Sequence, residues 1–303
     1  MELGAVFKTD WNFKMSYSII IPHYNIPDLL QRCLLSIPET EEFQVIVVDD
    51  CSPCAKTMIK DYPKLKRKNV EFVFLEKNGG GGKARNEGLK YAKGEWIIFA
   101  DADDFFSVNL TDLLKKYEKS DLDIVYYNID SVLSSNVNEK ALRNLSKQKL
   151  FDEYIAKKDV SIFKYHYPEP WGKMIRRSLI VENNILFDET RIANDYFFSV
   201  QCDYYAKKIE ADSRCLYVLT YRDGSVASGF APTIEKLCTR FDVYLRVQSF
   251  LAERDVFLKP MPIRGIMVLL LKRAPLLFVK KLYAARKKGV ALTLLFVQMV
   301  KKG

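Results

Sequence analysis

Asp101, Asp103 and Asp104 set three carboxylates within four positions, at the close of the apolar run in GEWIIFADADDFF, Gly94 to Phe106. Mg²⁺ and Mn²⁺ take hard oxygen ligands and usually bind through one or two carboxylates together with phosphate oxygens. An Asp-x-Asp at a strand end can place one carboxylate on such a metal and the other on a sugar hydroxyl. Read alone, the same residues also fit a solvated acidic turn, or a helix cap at Asp104.

A second candidate is the run Asn78-Gly79-Gly80-Gly81-Gly82-Lys83-Ala84-Arg85-Asn86, which follows an apolar strand pattern and opens a helical one that Gly94 ends. Consecutive glycines let backbone approach a ligand closely, and a helix N-terminus with Lys83 and Arg85 nearby favours a phosphate. The Walker pattern fails twice: Lys77 occupies its first glycine position, and Ala84 its Ser/Thr position. The dinucleotide pattern G-x-G-x-x-A does fit Gly79, Gly81 and Ala84, with Asp101 ending the next strand. It falls on the third strand instead of the first, and no ribose contact explains two further aspartates.

Asp49 and Asp50 close the strand pattern VIVVDD. Adjacent strand residues point to opposite faces, so one of the two is expected to face a ligand, where it can accept from a base or ribose; both can equally end the strand and cap a turn. Cys51 and Cys54 form a lone C-x-x-C, and the two histidines, His23 and His166, supply neither a second zinc pair nor a triad. These cysteines are read as incidental thiols. Scattered cysteines and the lack of an export-signal pattern predict a cytoplasmic setting.

These residues need a scaffold that gathers strand ends. From Tyr17 short apolar runs alternate with amphipathic stretches, the pattern of a layered α/β sheet. Strands are expected at Tyr17–Pro22, Phe43–Asp50, Val70–Leu75, Glu95–Asp101 and Leu122–Asn128, each with a polar end. Ligands of open α/β sheets bind outside the carboxyl ends of strands, so one site can collect all the acids. Between Ser131 and Pro168 the pattern weakens and reads as a variable insertion or a connection over the sheet. It resumes from Pro170 to Glu189, in a helix from near Asn194, and in a strand over Arg214–Tyr221. The expected division is an extension over 1–16, a catalytic domain over 17–225 whose first half ends near 130, and a helical basic region over 226–303.

Net charge is +9, with 47 Lys and Arg against 38 Asp and Glu, but eleven of the cations fall between Val256 and Gly303, where no acid occurs. The remainder is close to neutral, so a nucleic-acid surface is not expected. A helix from Pro275 would carry Phe278, Val279, Leu282 and Tyr283 on one side and Lys280, Lys281, Lys287 and Lys288 on the other. No apolar run is long enough to span a bilayer. The pattern predicts attachment to an anionic membrane surface or a helical subdomain with a basic face.

Taken together, SIIIPHYN (Ser18–Asn25), VIVVDDCS (Val45–Ser52), the Asn78–Asp104 segment, PWGKMIRRSLI (Pro170–Ile180) and ANDYFF (Ala193–Phe198) resemble the family 2 glycosyltransferases. The resemblance covers most of Tyr17 to Tyr221. It implies a GT-A fold, a Rossmann-like, mixed and mainly parallel sheet flanked by helices, and transfer of a sugar from a nucleoside diphosphate, UDP by expectation. The acceptor would be a glycan or lipid-linked glycan of a bacterial surface or capsular polysaccharide, made at the inner face of the cell membrane.

By position, the resemblance puts Asp50 on the base with Pro22 and Tyr24, and sets Lys83 and Arg85 in the loop beside the nucleotide. Asp101 would meet ribose or donor sugar, Asp103 would hold Mn²⁺ or Mg²⁺, and Asp195 would be the catalytic base of an inverting transfer. Trp171 and Lys173 are candidates for the acceptor site. Cys51 stands where the family usually has Gly, and Asn194 where it usually has Glu. A non-catalytic nucleotide-sugar-binding protein and an NAD(P)-dependent oxidoreductase are the alternatives.

Overall fold

The computed structural model describes residues 15–53, 55, 57, 62–222, 233–256 and 264–287. The chain forms two compact units, Met1–Ser228 and Gly229–Gly303. In the first, β1 (Tyr17–His23), β2 (Phe43–Asp49), β3 (Val70–Phe74) and β4 (Trp96–Phe99) lie parallel in the order β3-β2-β1-β4. β2 is buried along its whole length and β1 at all but Pro22, which is why both read as continuous apolar runs without alternation.

α1 (Pro27–Leu35) starts with proline at the head of the helix, where a missing N–H costs nothing, and carries Asp28 in its first turn and Arg32 in its last. α2 (Gly80–Tyr91) lies close on the sheet: a Cβ at Gly88 would stand 2.5 Å from Ile20 Cγ2. That approach fixes the start of α2 above the ends of β1 and β2.

The second half adds β5 (Phe105–Phe106), α3 (Leu110–Lys115), β6 (Ile124–Leu133), α4 (Leu145–Lys157), β7 (Lys173–Arg176), α5 (Arg177–Glu182), α6 (Tyr196–Tyr205) and β8 (Ile209–Tyr221). The eight strands run β3-β2-β1-β4-β7-β6-β8-β5, with β7 antiparallel to β4 and β6, and β6 parallel to β8. β6 and β8 both outrun their sequence-based bounds. The stretch from Ser131 to Pro168, read as an insertion or connection, carries α4, anchored by the buried Phe151 ring 4.7 Å from Phe163. Its apolar face is so narrow that periodicity alone does not announce it.

The second unit consists, among described residues, of α7 (Ile234–Ala252), α8 (Arg264–Arg273) and α9 (Pro275–Lys287). Thr233 caps α7, its hydroxyl accepting from Lys236 N. Leu237, Phe241, Tyr244, Met267, Leu270, Phe278 and Ala285 form its core. The expected grouping on α9 is corrected here. Phe278, Leu282 and Ala285 turn inward, whereas Val279 and Tyr283 stand exposed with Leu276. Lys281 is paired with Asp242, and Lys288 lies outside the described residues. No described helix is long and apolar enough to cross a membrane.

Candidate active site

At the carboxyl end of β1 and β2, Asp49 and Asp50 have separate tasks. Asp49 is fully buried; its Oδ2 lies 2.7 Å from His23 Nδ1, and its Oδ1 accepts from Ser52 N at 2.7 Å. His23 Nε2 accepts from Ile26 N, so the neutral ring donates from Nδ1 to Asp49. Burial pushes the Asp49 carboxyl up, but these hydrogen bonds outweigh it and hold the group below its ordinary value. Asp49 and His23 therefore shape the turn, and the partner missing for His23 in sequence is this aspartate.

Asp50 instead accepts from Gly79 N on one oxygen and from Gly80 N on the other, both at 2.7 Å. It ties the glycine run to β2, and Gly80 at φ +85° makes a bend that a side chain would strain. Each oxygen keeps a lone pair for a further donor. Cys51 follows at φ +64°, in the left-handed region where glycine costs least. Pro22 is half-buried at the end of β1, and Tyr24 stands exposed just past it.

The acidic cluster is divided between support and ligand. Asp104, only 2 % exposed, accepts from Thr220 N at 2.6 Å and from the Tyr217 hydroxyl at 3.1 Å. Arg32 and the Thr220 hydroxyl both donate to the Asp103 carbonyl at 2.6 Å. α1 and β8 thus hold the loop backbone, and the Asp103 and Asp101 side chains stay partly exposed. One oxygen from each of Asp101, Asp103 and Asp104 falls within 4.8 Å of the others. Burial first, then the Asp101 charge, raises the Asp103 carboxyl above its ordinary value; burial and both neighbours raise Asp104 further. Three hard oxygen donors that disfavour one another's charge are a suitable donor set for Mg²⁺ or Mn²⁺.

Opposite this cluster, α2 reaches the start of α6. Arg85 Nη2 donates to Asp101 Oδ1 at 2.6 Å, and Nη1 donates to Asn194 Oδ1 at 3.1 Å. The loop before α6 is stitched to α2 as well: Asn86 exchanges hydrogen bonds with Phe187 N and O, and Phe187 stacks on Phe198 with ring centroids 3.8 Å apart. Ala193 turns at φ +51° just before Asn194. Asp195 occupies the N-cap position of α6, yet its side chain makes no capping hydrogen bond. Burial first, partly countered by Arg85 and reinforced by Glu169 and Asp101, raises its carboxyl to about 6. A carboxyl with a raised affinity for its proton that does not cap its helix is available as a base.

Three sequence-based placements are corrected. Lys83 and Arg85 are helical, not in a loop, and two residues on a helix face different ways. Arg85 points to Asp101, while Lys83 turns to Glu189 at 3.5 Å beside a cavity of about 350 Å³. Lys173, 1 % exposed, donates to the Tyr167 carbonyl and lies between the Tyr126 and Tyr167 rings, where burial lowers its ammonium below the ordinary value. It is a core residue and meets no acceptor. Trp171, 8 % exposed, is stacked on Tyr217 at 6.0 Å and belongs to the core behind the site. Sequence reading missed Arg32, Tyr217 and Thr220, whose roles rest on pairings between distant segments. Cys54 lies outside the described residues.

The arrangement puts Asp50 with the glycine turn, an acid cluster able to hold a metal, and the uncapped Asp195 carboxyl within reach of α2. Comparison with known proteins bears on the family and the fold. The sequence model of the glycosyl transferase family 2 matches residues 18–182, and the chain belongs to that family. It is 30 % identical over 221 residues to poly(ribitol-phosphate) beta-glucosyltransferase of Bacillus spizizenii, a match covering 69 % of this chain and 33 % of that protein. It is also 30 % identical over 218 residues to poly(ribitol-phosphate) beta-N-acetylglucosaminyltransferase TarS of Staphylococcus aureus, covering 69 % and 36 %. The chain thus spans about a third of the length of these curated relatives. The crystal structure of S. aureus TarS 1–349 in complex with UDP-GlcNAc superposes with a TM-score of 0.63 at 27 % identity, over 83 % of this chain and 70 % of that one. The fold is GT-A, as the resemblance implied.

Proposed function

We propose that the chain transfers a sugar from a UDP-linked donor to a hydroxyl of a glycan or lipid-linked glycan, with inversion, in the building of a bacterial surface polysaccharide. The observation that carries this reading is the uncapped Asp195 carboxyl, joined through Asn194 and Arg85 to the Asp101 side of the site. The relatives that act on poly(ribitol-phosphate), and the TarS complex with UDP-GlcNAc, support the donor class.

On the donor side, a free lone pair of Asp50 accepts from the base, and the half-buried Pro22 and exposed Tyr24 flank it. Asp101 takes a ribose or sugar hydroxyl while Arg85 balances its charge. Asp103 would hold Mn²⁺ or Mg²⁺, which would supply positive charge for the departing diphosphate. Asp195 takes the proton of the acceptor hydroxyl as its oxygen bonds to the anomeric carbon, and the bond to the diphosphate breaks on the opposite side. Lys83 has no part in this scheme, since its ammonium faces Glu189.

The test is a panel of nucleotide sugars with Mn²⁺ or Mg²⁺, read by donor binding and by transfer or slow donor hydrolysis. Asp195→Asn is expected to keep donor binding and lose transfer. Donor binding with neither transfer nor hydrolysis in the wild type would identify a binding protein, and protection by NAD(P) in place of UDP an oxidoreductase.

The second unit supports attachment to an anionic membrane surface, on the inner face of the cell membrane. On α9, Leu276, Val279 and Tyr283 share an exposed side with Lys280 and Lys287, an apolar strip edged by cations.

A further inference from the structure

We propose that Glu169, held by Lys147, is a second functional carboxylate beside Asp195, a positioning residue set against Arg85 across the base. This rests on the reading of Asp195 as the base.

The geometry is built in. Lys147, a buried residue of α4, places its ammonium 2.6 Å from Glu169 Oε2 and 4.7 Å from the centroid of the Tyr167 ring. Oε2 is itself shut off from solvent, yet the Glu169 side chain keeps 27 % of its surface, which leaves Oε1 reachable. A lysine buried this deeply is rare without a partner, so the pair is a fixed feature and not a surface coincidence.

The loop carrying Glu169 is also fastened to the helix that carries Asp195. Ser199, buried in the first turn of α6, donates its hydroxyl to the Pro168 carbonyl at 2.6 Å and its N–H to the Asp195 carbonyl at 3.0 Å. One residue therefore sets the spacing between Pro168-Glu169 and Asp195. The charged groups acting on the Asp195 carboxyl come from three segments: Arg85 on α2, Glu169 before β7, and Asp101 after β4.

The physical consequence follows from sign. Arg85 favours the ionised carboxylate and would make it a weak base; Glu169 disfavours it and restores affinity for a proton. Lys147 limits how far Glu169 does so. The inserted helix α4 thereby adjusts the base without touching it.

The experiment follows the ¹³C resonance of the Asp195 side-chain carboxyl in the full chain, without metal or donor, assigned by its disappearance in Asp195→Asn. In Glu169→Gln the titration midpoint is expected to move to lower pH by roughly half a unit, and in Lys147→Met to move up. Glu169→Asp should restore the wild-type position, which a merely structural role would not require. Superimposable titrations in the wild type, Glu169→Gln and Lys147→Met would overturn the proposal; if Glu169→Gln does not fold, the Lys147→Met shift alone decides it. The readout needs no substrate, so it is separable from the base assignment, which stands or falls with transfer by Asp195→Asn.

Discussion

Arg85 and Asn194 lie 109 positions apart in sequence and meet at 3.1 Å, Nη1 to Oδ1, while the same guanidinium holds Asp101. Asn194 stands where the resemblance to family 2 glycosyltransferases implies a Glu. The amide adds no charge of its own, so Arg85 acts on both Asp101 and Asp195 while burial still keeps the Asp195 carboxyl raised. A single side chain on α2 therefore joins Asp101 to the loop before Asp195.

Arg85→Ala should lower kcat/KM for donor hydrolysis about 10- to 100-fold, the equivalent of one charge-assisted hydrogen bond of about 1.5–3 kcal/mol. Arg85→Lys should recover only part of it, because an ammonium cannot span both partners. Steady-state kinetics against a UDP-sugar decides this; equal activity in all three proteins would remove Arg85 from the site.

The pH profile carries a definite sign. A general base works ionised, and burial raises Asp195 to about 6. The kcat/KM of the wild type should therefore fall about tenfold per unit below that point and level off above it. Measured in buffers of constant ionic strength, a profile flat down to pH 5 would point to another base.

The three clustered aspartates should separate by experiment. Asp104→Ala leaves Thr220 N without its acceptor and should cost about 1–3 kcal/mol in urea unfolding. Asp103→Ala removes a carboxylate that burial already disfavours, so stability should hold or rise while Mn²⁺ affinity in calorimetry drops sharply. The opposite pattern would exchange their roles.

Backbone geometry gives a paired test. Cys51→Gly relieves a left-handed residue and should stabilise the fold by about 1 kcal/mol. Gly82→Ala forces a Cβ to 2.1 Å from the Asp188 carbonyl, so it should destabilise by about 1–3 kcal/mol and displace the Asp195 loop. Thermal and denaturant midpoints check both.

For the second unit, co-sedimentation with vesicles containing phosphatidylserine should exceed that with neutral vesicles and fall with added salt. Lys280→Glu with Lys287→Glu should weaken it, and so should Leu276→Ser, which removes an 81 % exposed apolar side chain from α9 without touching the core. Binding equal to that of neutral vesicles would leave α9 as an ordinary solvated helix.

The alternation of apolar runs with amphipathic stretches determined the layered sheet, because a strand buried on both faces has to be apolar along its length and a covering helix only along one side. Polar strand ends likewise determined that Asp50, Asp101 and Asp103 gather on the carboxyl edge. Tertiary structure decided which neighbour each acid and cation meets. Asp49 went to His23 and Asp50 to the glycine turn; Lys83 and Arg85 parted around α2; Lys173 sank between two tyrosines; and Glu169 met Lys147 of a helix that periodicity did not announce. Local spacing constrains the face a residue occupies, but a charge takes its role from partners brought in by chain closure, and those lie dozens of residues away.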